Sequence, residues 1–396
     1  MKRQARQLRH QLLKPKLWQT RIVFWGGAML VGVIAAVFAI LSDFADEAFK
    51  QVIAYNIYLP LIITPLGLLF TMYVTRTLFP GTEGSGVPQS LASIKDSSRM
   101  LAGRYLTFRI AISKILLCVG GLLCGASLGR VGPTVHIGAA IMYSLGKYMH
   151  FRRDYVLNGL IMAGGGAGIA AAFNLPIAGI MFAIEEMGRT FDRRSIGMIL
   201  IAIILASMVS ILVHDSDYHF AVTAVLGSDY VQLGFIVVIC GVIGGLIGGG
   251  FSYLLITIAR KISSHTRKHW VATTLVCGLG IAVTGILSGG VAFGSGYAET
   301  KALVSCAGQQ VCADHPGMLF PLYKIVATVM TFISGIPAGL FVPVLATGAG
   351  IGSDIAMFFP VELASTILLI GMVAYFSGVF QTPVTAFIVV IETVSY

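Results

Sequence analysis

Apolar residues fill this chain in stretches long enough to cross a bilayer. About 20 consecutive apolar residues in a helix span the hydrocarbon core of a membrane. The stretches that approach or exceed this length cover residues 23–42, 53–73, 109–127, 196–213, 231–258, 271–288 and 363–394. The pattern therefore predicts an all-α polytopic membrane protein.

Glycine and proline interrupt these apolar stretches. The chain contains 47 Gly and 13 Pro, and many of them lie together inside apolar segments. Glycine lets transmembrane helices approach one another closely. Irregular backbone at membrane depth, however, is tolerated only where it is buried in protein or lines a cavity. We therefore expect tilted and broken helices around an internal site, and not a simple bundle.

Composition and charge agree with a membrane location. Hydrophobic residues make up 56% of the chain and charged residues 11%, whereas about 25% of a soluble domain is charged. The net charge of +10 is concentrated in the segment 1–22, whose Lys and Arg residues have no acidic neighbour. The positive-inside rule favours a cytoplasmic N-terminus on anionic lipid over a nucleic-acid-binding arm. We expect a multi-pass protein of the cell inner membrane, with membrane lipid and no nucleic acid among its partners.

Three sequence markers occur twice, in the same order. In both copies a Gly-Ser-Gly turn precedes a G-x-x-x-P turn by 45 residues, and an apolar run that opens with proline ends nine residues later in glutamate. The first copy is Gly84–Gly86, Gly129–Pro133 and Pro176–Glu185, and the second is Gly294–Gly296, Gly339–Pro343 and Pro383–Glu392. The markers predict two membrane repeats, residues 23–215 and 216–396.

The charges of equivalent loops indicate that the repeats have opposite topology. The loop near 43–47 is acidic and its counterpart at 260–268 is basic, while the segment 95–109 is basic and its counterpart at 303–318 has no Lys or Arg. The positive-inside rule assigns the members of each pair to opposite sides. We therefore expect two inverted-topology repeats, an arrangement that places a substrate site near the bilayer midplane. The second repeat also lacks a counterpart of the stretch 196–213 before Tyr396, so it is expected to lack its last helix, either by truncation or because that segment was not included.

Three glycine-rich turns are candidates for binding an anion. Gly84–Pro88, Gly129–Pro133 and Gly339–Pro343 each precede an apolar stretch and end in proline, which costs no hydrogen bond at a helix start. The N–H groups and the dipole at a helix start attract an anion, and Ser85 adds a hydroxyl donor. One such turn alone is more typical of an ordinary helix kink. Three of them together favour an anion site.

Taken together, these motifs resemble the CLC family of chloride channels and proton–chloride antiporters. The family patterns G-S-G-I-P, G-[KR]-E-G-P and G-x-F-x-P match the three turns, and Phe173–Gly179 with Glu185 and Glu186 is also similar to the family. The resemblance implies a homodimer with one anion pathway per subunit. It implies chloride as the transported ion and no cofactor besides bound chloride.

The resemblance also implies which residues bind the anion. Ser85, with the backbone amides of Leu340 and Phe341, would bind a central chloride. The amides of the first turn would line an inner site, and those around the second turn, with Val342, an outer one. The implied anion-binding residues are Gly84, Ser85, Gly86, Arg130, Val131, Gly132, Leu340, Phe341 and Val342.

One departure from the family pattern concerns coupling. The gating glutamate of the family is Val131 here, and valine neither carries charge nor passes a proton. We therefore expect passive, proton-uncoupled chloride conduction. The alternatives are a proton–chloride antiporter, with a scaffold uncoupled by an engineered Glu→Val change or with coupling through another acid such as Glu83.

Two further features of the family pattern affect the expected site. Glu186 matches the proton glutamate of the family, but with Val131 present the preferred interpretation is an acid at the cytoplasmic helix end beside Arg189, Arg193 and Arg194, and any role in a proton pathway would be vestigial. The family's last helix carries a tyrosine that contacts the central chloride, and Tyr396 lies at the wrong point to replace it.

Two other kinds of chemistry are conceivable in this sequence. Cys306 and Cys312 flank a polar loop, and they are expected to form a disulfide or to be two free thiols, because a zinc site would need more ligands nearby. We expect no metal site. Gly125–Gly129 matches the nucleophile-elbow string G-x-S-x-G, but that motif needs a preceding strand and a His partner, and His136 is the only imidazole near Ser127. We expect no enzyme activity.

Overall fold

The computed structural model describes residues 15–96, 98–151, 153–188, 195–214, 220–221, 230–307 and 316–395. This part of the chain is almost entirely helical, as the apolar pattern predicts. Residues 1–14 of the basic N-terminal segment lie outside the described residues. The helices are α1 (Pro15–Tyr55), α2 (Pro60–Thr77), α3 (Val87–Lys95), α4 (Met100–Tyr105), α5 (Phe108–Leu123), α6 (Val131–Tyr148), α7 (Asp154–Phe173), α8 (Pro176–Glu185), α9 (Ile196–Val213), α10 (Tyr230–Lys268), α11 (Trp270–Leu287), α12 (Tyr297–Cys306), α13 (Phe320–Ser334), α14 (Phe341–Ala356), a 3₁₀ turn (Val361–Leu363), α15 (Ala364–Phe380) and α16 (Pro383–Thr393).

Six helices of the described part are long and apolar enough to cross a membrane. They are α1, α7, α9, α10, α11 and α15, the last counted together with the preceding 3₁₀ turn, and their mean hydropathy lies between 1.6 and 2.9. Shorter apolar helices, among them α8, α13, α14 and α16, accompany them. A bilayer core takes about 20 residues of helix. The prediction of a multi-pass membrane protein is confirmed.

Two of the predicted apolar stretches are divided by helix breaks. The stretch 53–73 begins inside α1 and is broken between Tyr55 and Pro60, where the Asn56 side chain accepts a hydrogen bond of 2.8 Å from the Tyr58 N–H. The stretch 363–394 breaks at Gln381, whose φ of 58° is left-handed. A proline follows each break as the first residue of the next helix, Pro60 or Pro383, where its missing N–H costs no hydrogen bond within the helix.

The order and spacing of the helices repeat along the chain. Helices α2, α3, α6 and α7 begin at residues 60, 87, 131 and 154, and α11, α12, α14 and α15 begin at residues 270, 297, 341 and 364. Each start in the second set lies 210 positions after its counterpart. The repeat that three short motifs indicated therefore extends to the boundaries of whole helices.

Contacts between residues divide the chain into two compact units. The first consists of Met1–Val37, Pro88–Ala111 and Thr134–Asp215, and the second of Phe38–Val87, Ile112–Pro133 and Ser216–Tyr396. The second unit therefore includes two segments of the first predicted repeat. The boundaries 23–215 and 216–396 describe sequence repeats, and as domain boundaries they stay a prediction.

Small residues at the contacts allow helices to pack closely in both units. In the first unit, a Cβ built on Gly164 of α7 would contact the carbonyl oxygen of Gly138 in α6, and a Cβ on Gly138 would contact that of Gly164. In the second unit, a Cβ on Gly371 of α15 would lie 2.5 Å from the Cα of Gly352 in α14. Helices α14 and α15 are the repeat counterparts of α6 and α7. Close glycine packing is thus a property of both copies.

Two short features lie outside the helical pattern. Strands β1 (Phe220–Ala221) and β2 (Val394–Ser395) form a parallel pair in the second unit, which the sequence pattern did not predict. Cys306, at the end of α12, is disulfide-bonded. Its predicted partner Cys312 lies outside the described residues, so that pairing stays a prediction.

Candidate anion site

The three glycine-rich turns each lead directly into a helix. Helix α3 begins at Val87 inside the first turn, α6 begins at Val131 inside the second, and α14 begins at Phe341 inside the third. The first N–H groups of an α-helix have no partner within the helix. Each turn therefore presents backbone donors at the positive end of a helix dipole.

The second and third turns pair with each other through their first glycines. The Gly129 N–H donates to the Gly339 carbonyl at 2.8 Å, and the Gly339 N–H donates to the Gly129 carbonyl at 3.1 Å. This antiparallel bridge joins equivalent positions of the two repeats. The packing around it is also reciprocal, because a Cβ on Gly129 would lie 3.1 Å from Pro343 Cδ and one on Gly339 would lie 2.7 Å from Pro133 Cδ. The starts of α6 and α14 therefore meet, with little room for a side chain at Gly129 and none at Gly339.

The first turn lies against this pair. The Ala338 N–H donates to the Gly84 carbonyl at 3.3 Å. A Cβ built on Gly132 would lie 3.2 Å from the Cβ of Ser85 and 3.3 Å from the Cα of Gly339. Three turns that are far apart in the sequence thus converge around Ser85, as the anion-site prediction requires.

The first turn holds Ser85 between two glycines in the left-handed region. Gly84 has a φ of 67° and Gly86 a φ of 92°, conformations that residues with a side chain adopt only under strain. The Ser85 side chain is half-buried, and within the described part of the chain its hydroxyl has no protein hydrogen-bond partner. Its O–H is therefore available to donate to a ligand.

The predicted residues of the second turn are buried. The Arg130 guanidinium donates to the Ala39 carbonyl at 3.0 Å and to the Asp43 carboxylate at 2.9 Å. Its charge is thus directed to Asp43, so the groups of this turn that are predicted to bind an anion are those of its backbone. Val131 is fully buried, so a neutral, non-titratable side chain lies where the family pattern has a glutamate.

The third turn is fixed by aromatic packing. Phe341 and Val342 are each 3% exposed. The Phe341 ring lies 5.3 Å from the Phe376 ring and 4.4 Å from the Phe380 ring, measured between centroids. Both partners belong to α15, the helix that packs along α14. The ring cluster therefore holds the start of α14, including the amides of Leu340 and Phe341, in one position.

Comparisons with known proteins agree with this geometry. The sequence profile of the family described as voltage gated chloride channel matches residues 66–396. The chain belongs to this family. The resemblance to CLC proteins that the motifs indicated is therefore confirmed.

Several members of the CLC family are similar over most of the chain. The H(+)/Cl(-) exchange transporter ClcA of Vibrio cholerae serotype O1 (strain M66-2) is 28% identical over 343 residues, which cover 81% of this chain and 68% of the transporter. The transporter of the same name from Vibrio parahaemolyticus serotype O3:K6 is 27% identical over 387 residues, which cover 92% of this chain and 79% of the transporter.

Solved CLC structures share the fold. A slow cyanobacterial Cl-/H+ antiporter superposes with a TM-score of 0.78 at 20% identity, with 96% of this chain and 90% of the other covered. A CLC-type fluoride/proton antiporter superposes with a TM-score of 0.74 at 20% identity, with 95% and 94% covered. The predicted fold class, a CLC-like helical membrane protein with repeated broken helices, is confirmed.

Glu186, the predicted proton residue, lies in the first unit. It is half-buried at the C-terminal end of α8, where its N–H donates to the Phe182 carbonyl at 3.0 Å. Arg189, Arg193 and Arg194, the basic residues of the alternative interpretation, lie outside the described residues. The role of Glu186 stays a prediction.

Sequence reasoning missed two buried lysines. Lys114 in α5 and Lys324 in α13 are both fully buried. They stand 210 positions apart, so they are equivalent residues of the two repeats. Applying that spacing to charged residues inside apolar stretches would have found them, because ionisable residues at membrane depth are functional candidates by default.

The serine of the nucleophile-elbow string has other partners. The Ser127 hydroxyl is hydrogen-bonded to the Thr328 hydroxyl at 3.0 Å, and the Ser127 N–H donates to the Thr331 hydroxyl at 3.1 Å. The preceding element is helix α5 and not the strand that an elbow requires. A ring nitrogen of His136 lies 2.9 Å from the Tyr105 carbonyl oxygen. In the described part of the chain, no cluster of three or more His, Cys, Asp or Glu could hold a metal ion.

Proposed function

We propose that this chain transports chloride across a membrane through the site formed by the three glycine-rich turns. The convergence of these turns on Ser85 is the observation that supports the proposal most directly. The names of the relatives, which are H(+)/Cl(-) exchange transporters, supply the substrate class. Chloride is the bound ion, and no other cofactor is required.

The chemistry of the site suits an ion that has to leave as well as bind. The anion ligands are the Ser85 hydroxyl and backbone N–H groups of the three turns. These N–H groups belong to Gly84, Gly86, Arg130, Val131, Gly132, Leu340, Phe341 and Val342. All of these donors are neutral, and conduction requires binding weak enough for release. A helix start binds an anion without a full positive charge at the contact.

Proton-coupled exchange is the better supported form of this transport. The relatives carry that activity in their names, and this favours the antiporter alternative over the passive conduction expected from Val131 alone. In this proposal a titratable side chain other than residue 131 carries the proton, and Glu186 is the candidate. A second candidate function is uncoupled chloride conduction, which the fully buried, non-titratable Val131 favours.

The test compares chloride and proton movement in one assay. Purified protein in liposomes is given an outward chloride gradient, and chloride efflux and external pH are recorded together. Proton uptake opposite to chloride in the native protein supports exchange, and its loss in Glu186→Gln assigns the proton to that residue. Chloride efflux without proton movement supports the uncoupled alternative. Val131→Glu with Val131→Gln as its neutral control then reports whether a carboxylate at this position adds coupling.

The remaining features of the proposal concern the assembly. We propose a homodimer in the cell inner membrane, with a cytoplasmic N-terminus on anionic lipid and a disulfide between Cys306 and Cys312 outside the cytoplasm. The basic segment 1–22 supports the orientation. Counting bleaching steps of single labelled complexes in liposomes tests the dimer, because a dimer bleaches in two steps and a monomer in one.

A further inference from the structure

The two Gly-Ser-Gly turns have the same backbone conformation. Gly84 and Gly86 have φ angles of 67° and 92°, and Gly294 and Gly296 have φ angles of 64° and 88°. A helix starts directly after each turn, α3 at Val87 and α12 at Tyr297. Equal geometry gives Ser295 the same set of donors that Ser85 offers in the first turn: its own N–H and its hydroxyl.

What faces the two turns is different. Apart from Gly84 and its two chain neighbours, no atom of the described residues lies within 4 Å of a Cβ built on Gly84, whereas a Cβ on Gly294 would lie 2.6 Å from Oδ1 of Asp46. The Ser295 hydroxyl donates to Asp46 Oδ2 at 2.9 Å, and the Ser295 N–H donates to the same oxygen at 3.4 Å. A carboxylate from α1 therefore lies at the Gly294–Gly296 turn. Within the described part of the chain, the equivalent place at the Gly84–Gly86 turn holds no neighbouring side chain.

A buried lysine also contacts the Gly294–Gly296 turn. The ammonium of Lys324 donates to the carbonyl groups of Ala292, Phe293 and Gly294 at 3.2, 3.1 and 2.9 Å. The turn thus binds a cation through its C=O groups and an anion through the N–H and O–H of Ser295. Hydrogen bonds with one ionised partner are about twice as strong as neutral ones, so the contacts on both sides hold the turn in its anion-binding form.

We propose that the Gly294–Gly296 turn is a second anion-binding site, of the same kind as the Ser85 turn, and that the Asp46 carboxylate is its permanent ligand. The inference rests on the proposed function of the Ser85 turn. Removing the carboxylate opens the Gly294–Gly296 turn to a small monovalent anion such as chloride or bromide. Glu299 in the first turn of α12 and the Lys324 ammonium place opposite charges near this turn.

Bromide soaking with anomalous diffraction tests this assignment. Crystals of the native chain, of Asp46→Ala and of Asp46→Ala/Ser295→Ala are soaked in bromide. We expect one peak at Ser85 in all three, an additional peak at Ser295 in Asp46→Ala, and loss of that additional peak in the double variant. The peak at Ser85 reports the proposed function and the peak at Ser295 reports the inference, so either can fail alone.

A solution measurement covers the case in which Asp46→Ala folds poorly. A ligand that binds only the folded state raises stability with its concentration. When gluconate is replaced by bromide at equal ionic strength, the thermal midpoint of Asp46→Ala in detergent should therefore rise more than that of the native chain. The double variant should lose this additional rise. Bromide at Ser295 beside an intact Asp46 would overturn the proposal. An Asp46→Ala chain with no peak at Ser295 and no additional response to bromide would do the same.

Discussion

The contact between the second and third turns predicts the effect of one added methyl group. In Gly339→Ala the new Cβ would lie 2.7 Å from Pro133 Cδ and would contact the carbonyl oxygen of Gly129. Carbon atoms in good contact are about 3.5–4.0 Å apart, so the methyl group penetrates the ring of Pro133 by about 1 Å. Neither neighbour is the flexible end of a side chain. The two helix starts must therefore separate.

The expected loss of stability follows from this overlap. Overpacking a close-packed site costs about 1–3 kcal/mol, which corresponds to roughly a 5- to 150-fold change in the ratio of folded to unfolded protein. Gly129→Ala should cost less, because its nearest contacts, Pro343 Cδ and Val342 Cβ, are both at 3.1 Å. Gly241 in α10 is an exposed control with no atom within 4 Å of its Cβ among the described residues. Alanine there should be neutral or stabilising by about 0.5–1 kcal/mol.

The three variants can be compared in one assay. Equilibrium unfolding in mixed detergent micelles is followed by the fluorescence of the three tryptophans, and chloride efflux is measured on the same preparations. We expect stability and efflux to fall in the order Gly241→Ala, Gly129→Ala, Gly339→Ala. A Gly339→Ala protein as stable and as active as Gly241→Ala would show that the turns do not meet as described.

Three further predictions concern other parts of the molecule. Lys324→Met should lower the thermal midpoint far more than Lys50→Met, because it leaves the carbonyl groups of residues 292, 293 and 294 without their donor while Lys50 is exposed. An equal effect of the two substitutions would refute this. The Ser98 hydroxyl lowers the pKa of Asp96 below its ordinary value of 3.8. The stabilising contribution of this carboxylate is present above pH 3.8 and is lost as the pH falls through the lowered pKa. Amide hydrogen exchange at the start of α4, corrected for the intrinsic rate, should therefore accelerate below pH 3.8. The Asp96→Asn variant should show no such acceleration. Peptide mapping without reduction should recover Cys306 linked to Cys312, and a free Cys312 thiol would refute that pairing.

The local parts of the site were predictable because each motif carries its own geometry. Gly84 and Gly339 are each followed by a proline four positions later, a pattern that favours a turn and a helix start. The repeat spacing then paired the motifs. The convergence of three turns at one place followed from that pairing and from the resemblance to a family.

The parts that were not predictable depend on contacts between distant residues. Asp46 meets Ser295 across 249 positions, and nothing in the acidic segment 43–47 distinguishes this carboxylate from its neighbours. Lys114 and Lys324 are hidden because a hydropathy average over an apolar stretch absorbs a single charge. The break at Gln381 was missed because glutamine, and not glycine, adopts the left-handed conformation there.

The pairing of Gly129 with Gly339 has the form of an isologous contact, in which a residue faces its own equivalent as in a twofold-symmetric assembly of two identical subunits. In such an assembly every substitution appears on both sides at once. Within one chain each side can change alone, and the equivalent positions Val131 and Phe341 have done so. The same freedom lets a carboxylate lie at one Gly-Ser-Gly turn while the other stays open. Two identical halves would give either two open turns or none.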